Sequence, residues 1–210
     1  LAAGSYSAVG GGRGNAASGW ISTVAGGERN TGAGSHAAIG GGLGNIITGA
    51  DPWSSTIAGG YSNAVKSPVA AIGGGLRNTV TGTAATVVGG QDNVAGGRYS
   101  LAAGHRAKAL HDGSFVWADS LDNDFESSGP NQFMIRAAGG VGISCHPEAR
   151  LHVMGWESAW EFPHICLEEP GQGSTRLLQA SDGLLLRNNN TNTATLFSFR
   201  SPSDTHLMDL

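Results

Sequence analysis

The chain has 210 residues, 35 of them glycine, with 13% charged residues and a formal net charge of −4. That length holds one or two domains with a core, and the glycine content is far above the usual share of about 7%. Its few, scattered Lys and Arg exclude a basic groove for nucleic acid, and no apolar run approaches the roughly 18 residues of a membrane-spanning helix.

The composition changes near residue 110. Leu1 to Leu110 holds 26 glycines and 10 charged residues, whereas His111 to Leu210 holds 9 and 18. The sign of the charge changes as well, from 7 Lys+Arg against 3 Asp+Glu to 5 against 13. Three segments follow: repeats over 1–110, a junction or capping segment over 111–150, and a β-rich domain over 151–210. The chain starts at Leu1 with no Met or signal peptide, as expected of a fragment or a processed product.

In the first segment "GGGRGN", "AGGERN", "GGGLGN", "AGGYSN", "GGGLRN" and "VGGQDN" end at Asn15, Asn30, Asn45, Asn63, Asn78 and Asn93. The steps are 15, 15, 18, 15 and 15, the longer one explained by a three-residue insertion around "ADPWS". A fixed period over six copies marks stacked coils, not a unique phosphate loop. The phosphate reading fails by itself too, because G-x-G-x-x-G needs Gly where Asn45 stands. Hexapeptide-type coils repeat in multiples of six, which this period is not.

Two columns recur in each copy. Val9, Val24, Ile39, Ile57, Ile72 and Val87 fall on one face of a short strand, and Ala17, Gly32, Ile47, Val65, Val80 and Ala95 on a second. Two strands per coil would bury both columns in a narrow interior. The Asn and the glycine column Gly4, Gly19, Gly34, Gly49, Gly82 and Gly97, with Ser67 as its exception, are expected at corners that need positive φ. Counting the degenerate "LAAGHRAKA" gives about seven coils and, at ~4.8 Å each, a stack of roughly 30 Å. A core of Val, Ile and Ala alone stabilises a monomer little, so an exposed face needs a partner. The turn-tip column Arg13, Glu28, Leu43, Tyr61, Leu76, Gln91 has an apolar middle, read either as an intersubunit contact or as a ligand-facing ladder.

The repeat grammar S-x-x-A-I-G-G-G-x-x-N-x-x-x-G, as in "SHAAIGGGLGNIITG", resembles the head repeats of trimeric autotransporter adhesins. The resemblance covers Leu1 to about Ala109. It implies an all-β fold, a left-handed parallel β-roll of 15-residue coils forming a homotrimeric fibre. Further on, "NQFMIRAAGGVGI" and "SCHPEARLHVMG" are similar to the junction of phage tail fibres and bacterial surface fibres upstream of endosialidase-type intramolecular chaperones, with Ser144 and Cys145 in place of the usual Gly-Thr. The resemblance implies an extracellular setting, on a virion tail fibre or a bacterial surface, and a chaperone either cleaved off after three chains align or left out of this sequence.

Between these parts, Phe115, Trp117, Phe125 and Phe133 are expected to plug the open end of the roll. From Leu151 on, "LHVMG", "HICLEE", "TRLLQA", "GLLLRN" and "ATLFSFRS" read as strands between turns. Cys145 and Cys166 could form a disulfide or stand as two separate thiols, and no second cysteine cluster exists for a zinc knuckle.

Little chemistry is legible. His36, His105, His111, His146, His152, His164 and His206 show no ligand spacing, though one His per chain, such as His206, could meet its copies on a three-fold axis. Asp119, Asp122, Asp124 and Glu126 offer oxygens suited to Ca²⁺ but lack the pattern of an EF-hand loop, and solvated carboxylates are favoured. Glu157, Glu161, Glu168 and Glu169 could supply a glycosidase pair, as any acidic segment could. No nucleophile elbow is present, and an ice-binding surface would need Thr on every coil, whereas Thr23, Thr56 and Thr86 occupy alternate ones.

The expectation is a non-enzymatic structural and adhesive fibre without cofactor or metal, presenting a surface to a host-cell receptor or glycan. Its alternative is a glycan-degrading tailspike with a carboxylate site between subunits. Trp53 in the insertion, and Trp156 and Trp160 near the start of the last segment, are candidates for either glycan stacking or intersubunit anchoring.

Overall fold

Small and β-branched residues alternate in short runs such as "STVA" and "AAIG", leaving one side chain per run to point inward. In the computed structural model each run pairs in parallel with the same run one coil later: Ala8 with Thr23, Thr23 with Ala38, Ala38 with Thr56, Thr56 with Ala71. The chain winds into a parallel β-solenoid of about eight turns, with a nine-stranded sheet on one side and an eight-stranded sheet on the other. The structure describes residues 1–49, 52–144, 146–147 and 150–153, together with the backbones of the strands at 165–169, 173–180, 183–188, 198–200 and 206–209. No helix occurs among the described residues.

Both apolar columns lie inside, as the alternation requires. Val24, Ile39, Ile57, Ile72 and Val87 face Ala17, Ile47, Val65, Val80 and Ala95, all at most 1% exposed. Each buried Val or Ile contributes about 1.5–3 kcal/mol, whereas ordering a backbone residue costs about 1–2 kcal/mol. One coil therefore cannot stand alone, and stability has to accumulate along the stack.

The asparagines do a different job from the one the sequence suggests. None of the six has positive φ; the residue before each does, with Gly14, Arg29, Gly44, Ser62, Arg77 and Asp92 at φ between 53° and 67°. That residue turns the chain and points the Asn side chain inward, where all six asparagines are at most 4% exposed. Asn45 Nδ2 donates to the Gly41 and Gly60 carbonyls, both at 2.9 Å, and its Oδ1 accepts the Asn63 amide at 3.1 Å. The same pattern runs from Asn15 to Asn93 and ends where the Ala107 amide donates to Asn93 Oδ1 at 2.9 Å. The internal amide ladder thus satisfies the Gly41 carbonyl and its equivalents, and gives the Gly60 carbonyl a second donor beside the Leu43 N–H at 2.9 Å.

The glycine column also differs. Gly4, Gly19, Gly34, Gly82 and Gly97 do not have positive φ. They are small because the next coil lies against them: a Cβ on Gly19 would sit 2.0 Å from the Gly34 carbonyl oxygen, and one on Gly82 would sit 1.9 Å from that of Gly97. Close approach of backbones, not turn geometry, selects glycine here.

Register relocates the insertion. The next coil meets Gly34 with Pro52, a Cβ on Gly34 falling 2.2 Å from the Pro52 carbonyl oxygen, so Pro52 holds the corner and the three extra residues are 49–51. Trp53 therefore belongs to the regular coil and does not sit on the insertion. It aligns with Trp20, because "GWISTVAGG" and "PWSSTIAGG" occupy the same places.

Stacking continues beyond the composition change at residue 110. Leu101 pairs with Phe115 and Phe115 with Phe133, at intervals of 14 and 18 residues, and the ladder ends at Arg136. The four aromatics do not plug the end together. Val116 is the inward residue of its strand, while Phe125 and Met134 pack against the core. Phe115 and Phe133 stack outside it, centroids 4.7 Å apart, and Trp117 is 37% exposed.

The chain forms two compact units, Leu1–Ala138 and Gly139–Leu210. In the second, Val141–Ile143 pairs in parallel with Leu151–Val153. Ile165–Glu169, Gly173–Ala180 and Gly183–Asn188 form an antiparallel meander, and Ser198–Arg200 pairs with His206–Asp209. Cys145, Trp156, Trp160, Glu157, Glu161 and His164 lie outside the described residues, as do the side chains of Cys166, Glu168, Glu169 and His206, so the disulfide, carboxylate-pair and three-fold histidine readings fall there as well.

Candidate functional site

Three surface features of the solenoid carry exposed side chains, two of them at fixed intervals. At the turn tips a third short parallel ladder links Arg13, Glu28, Leu43, Tyr61, Leu76 and Gln91, one residue per coil. Backbone rungs hold it, such as Tyr61 N–H to the Gly75 carbonyl at 2.9 Å. Leu43, Tyr61 and Leu76 are therefore direct neighbours, with Tyr61 49% exposed. Ion pairs flank the apolar middle: Arg13 to Glu28 at 3.6 Å on one side, and Arg77 to Asp92 on the other through two hydrogen bonds of 2.7 and 2.8 Å. The two Arg77 bonds hold the Asp92 carboxyl well below the usual carboxylate range.

The opposite corner carries the indoles. Ser5, Trp20, Ser35, Trp53, Pro68, Thr83 and Arg98 form one column, and Tyr6, Ile21, His36, Ser54, Val69, Ala84 and Tyr99 the next. Every residue of the second column has φ between 52° and 58°. Each of its N–H groups after the first donates to a carbonyl of the first column one coil back, as His36 does to Trp20 at 2.7 Å and Val69 to Trp53 at 2.9 Å. Trp20 is 48% and Trp53 45% exposed, and the His36 ring meets the Trp20 ring edge-on at 4.8 Å. Trp20 was detectable in the sequence once Pro52 is aligned with Gly19.

The third feature is a groove of about 550 Å³ near the last coils, lined by Gln91, His105, Trp117, Asp119 and Ser120 over a floor of Gly90 and Gly104. Asp119 accepts from Arg136 Nε and from the Ala138 amide, both at 2.8 Å. The Ala138 bond and then the Arg136 bond hold its carboxyl below its ordinary value, against the opposing effect of burial. A carboxylate held ionised in this way is not a proton donor near neutral pH.

The acidic loop beside the groove is engaged by cations. Arg106 reaches Asp124 at 2.9 Å and Asp122 at 3.4 Å, and Lys108 lies 3.8 Å from Asp124. Among the described residues no group of three or more His, Cys, Asp or Glu is placed to hold a metal.

Compared with known proteins, the chain matches no protein-family model and no curated protein sequence.

Proposed function

We propose that the chain is the roll and junction of a left-handed, homotrimeric adhesive fibre, displayed outside a cell or on a virion tail and binding a host receptor or glycan. The observation that carries this reading is the outer face of the nine-stranded sheet. Its outward columns run Ala8, Thr23, Ala38, Thr56, Ala71, Thr86, Leu101, Phe115, Phe133 and Gly10, Ala25, Gly40, Ala58, Gly73, Val88, Ala103, Trp117, Ile135, with no charged residue in either. Val88 is 57%, Phe133 72% and Ile135 38% exposed. A flat, uncharged face of this length suits burial against copies of the same chain. Three copies would then present each binding ladder three times, and weak contacts would gain by multiplicity.

Sedimentation under native conditions, followed by a glycan array on the same sample, tests the reading. A mass near three times 21.3 kDa with binding supports it. A monodisperse monomer removes the trimer, and release of shortened glycan makes the protein a tailspike.

A further inference from the structure

We infer that the Trp20–Trp53 corner is a binding strip for an extended, neutral, β-1,4-linked glycan lying along the solenoid axis. The inference rests on the adhesive reading above and names its ligand class.

Period carries the argument. In the corner column Ser5, Trp20, Ser35, Trp53, indoles alternate with serines from coil to coil. Parallel strands lie about 4.7–4.9 Å apart, so two coils separate the indoles by about 9.5 Å. That is close to the length of one disaccharide in an extended β-1,4-linked chain, in which alternate sugars turn the same face to one side. Two indoles at this interval can each stack on the C–H face of alternate sugars, while Ser35 between them and Ser54 beside them offer hydroxyl donors and acceptors.

Two further observations restrict the occupant. The backbone of the strip is laddered before binding by the rungs from Ser54 to Ser35 and from Val69 to Trp53, both 2.9 Å, and the Trp20 ring is packed against His36. Little ordering of the backbone or of the Trp20 ring then opposes binding. Around the indoles none of Trp20, Ile21, Ser35, His36, Trp53 and Ser54 is Asp, Glu, Lys or Arg, and the cation of the same column, Arg98 three coils beyond Trp53, is paired with Asp112 at 3.6 Å. An anionic polysaccharide would find no cation beside the two indoles, so the electrostatics there match an uncharged glycan.

Titration of the intact chain with cellohexaose and chitohexaose, and with the shorter oligomers of each, tests this. Binding is expected to strengthen sharply between the disaccharide and the trisaccharide, the shortest chain that reaches both indoles. Trp20→Ala and Trp53→Ala should each weaken binding about tenfold with the sedimentation mass unchanged, while Trp20→Phe and Trp53→Phe retain most of it. The inference is overturned if neither series binds, if binding is indifferent to both alanine variants, or if those variants break the oligomer, which would make the corner an intersubunit contact. Array binding to another glycan class that ignores Trp20 and Trp53 would overturn the strip and leave the adhesive fibre standing.

Discussion

The smallest unit that decides this fold is the buried asparagine. Asn63 donates to the Gly59 and Gly75 carbonyls at 3.0 and 2.9 Å, and its Oδ1 accepts the Asn78 amide at 2.9 Å. Asn63→Ala would leave the Gly59 carbonyl and the Asn78 amide without these partners, at about 1–3 kcal/mol each where water cannot replace the bond, while the Gly75 carbonyl keeps the Tyr61 N–H at 2.9 Å. Urea unfolding should show a loss of about 2 kcal/mol or more; a loss below about 1 kcal/mol would mean that the ladder is not needed. Gly32 is the opposite case. A Cβ there meets Val24 Cγ2 at 3.6 Å and the Ala37 Cβ at 3.7 Å, both ordinary contacts, and its φ is not positive. Gly32→Ala should stabilise by about 0.5–1 kcal/mol, through a filled gap and a less disordered unfolded chain. Gly19→Ala should destabilise strongly because of the 2.0 Å approach. Thermal melts of the pair check the sign of each change.

At the scale of a corner or a strand, strain and charge become visible. Ile21 at φ 54° and Val69 at φ 57° are β-branched residues in the left-handed region, where asparagine or glycine fits better. Val69 is 45% exposed and its amide bond to Trp53 does not need the side chain. Val69→Asn should therefore raise stability by about 1 kcal/mol, measurable as a higher denaturant midpoint with an unchanged slope. The coil-to-coil ion pairs carry a pH dependence. Asp92 and Asp119 both have carboxyls lowered from their ordinary values, so they bind fewer protons folded than unfolded. Their contribution is complete above the ordinary carboxylate range and is lost as the pH falls through and below about 4. Melting temperature should drop over that interval, and Asp92→Asn should flatten the drop; a wild-type curve that stays level from pH 6 to pH 3 would count against both pairs.

Over the whole solenoid, each coil touches only its neighbours, so opening should begin at the ends. Val9 in the first coil is only partly buried, whereas Ile39, Ile57 and Ile72 in the middle are at most 1% exposed. Native-state hydrogen exchange should find the Asn45, Asn63 and Asn78 amides slowest and those near Ala8 fast. Uniform protection along the stack would point instead to a single cooperative unit.

The coil is legible within a single repeat. Its period of 15, the alternation that buries Val24 against Ala17 and the small residues on alternate faces are local patterns, and hydrophobic burial enforces them wherever the chain turns. The tip ladder of Leu43, Tyr61 and Leu76 was readable for the same reason, since one fixed interval places all three. What each coil needs from the next emerges only on stacking. The asparagine amide binds a carbonyl in the following coil, and Gly19 is small because Gly34 lies against it, facts of stacking that propensity within one repeat does not contain. Register through Pro52 moved Trp53 from the insertion to Trp20's column, and the late intervals of 14 and 18 hid the coils beyond residue 110 from a search for a constant period. Side-chain alternation is encoded within a repeat, whereas the partners of buried polar groups and the spacing of exposed indoles arise only when repeats are placed on one another.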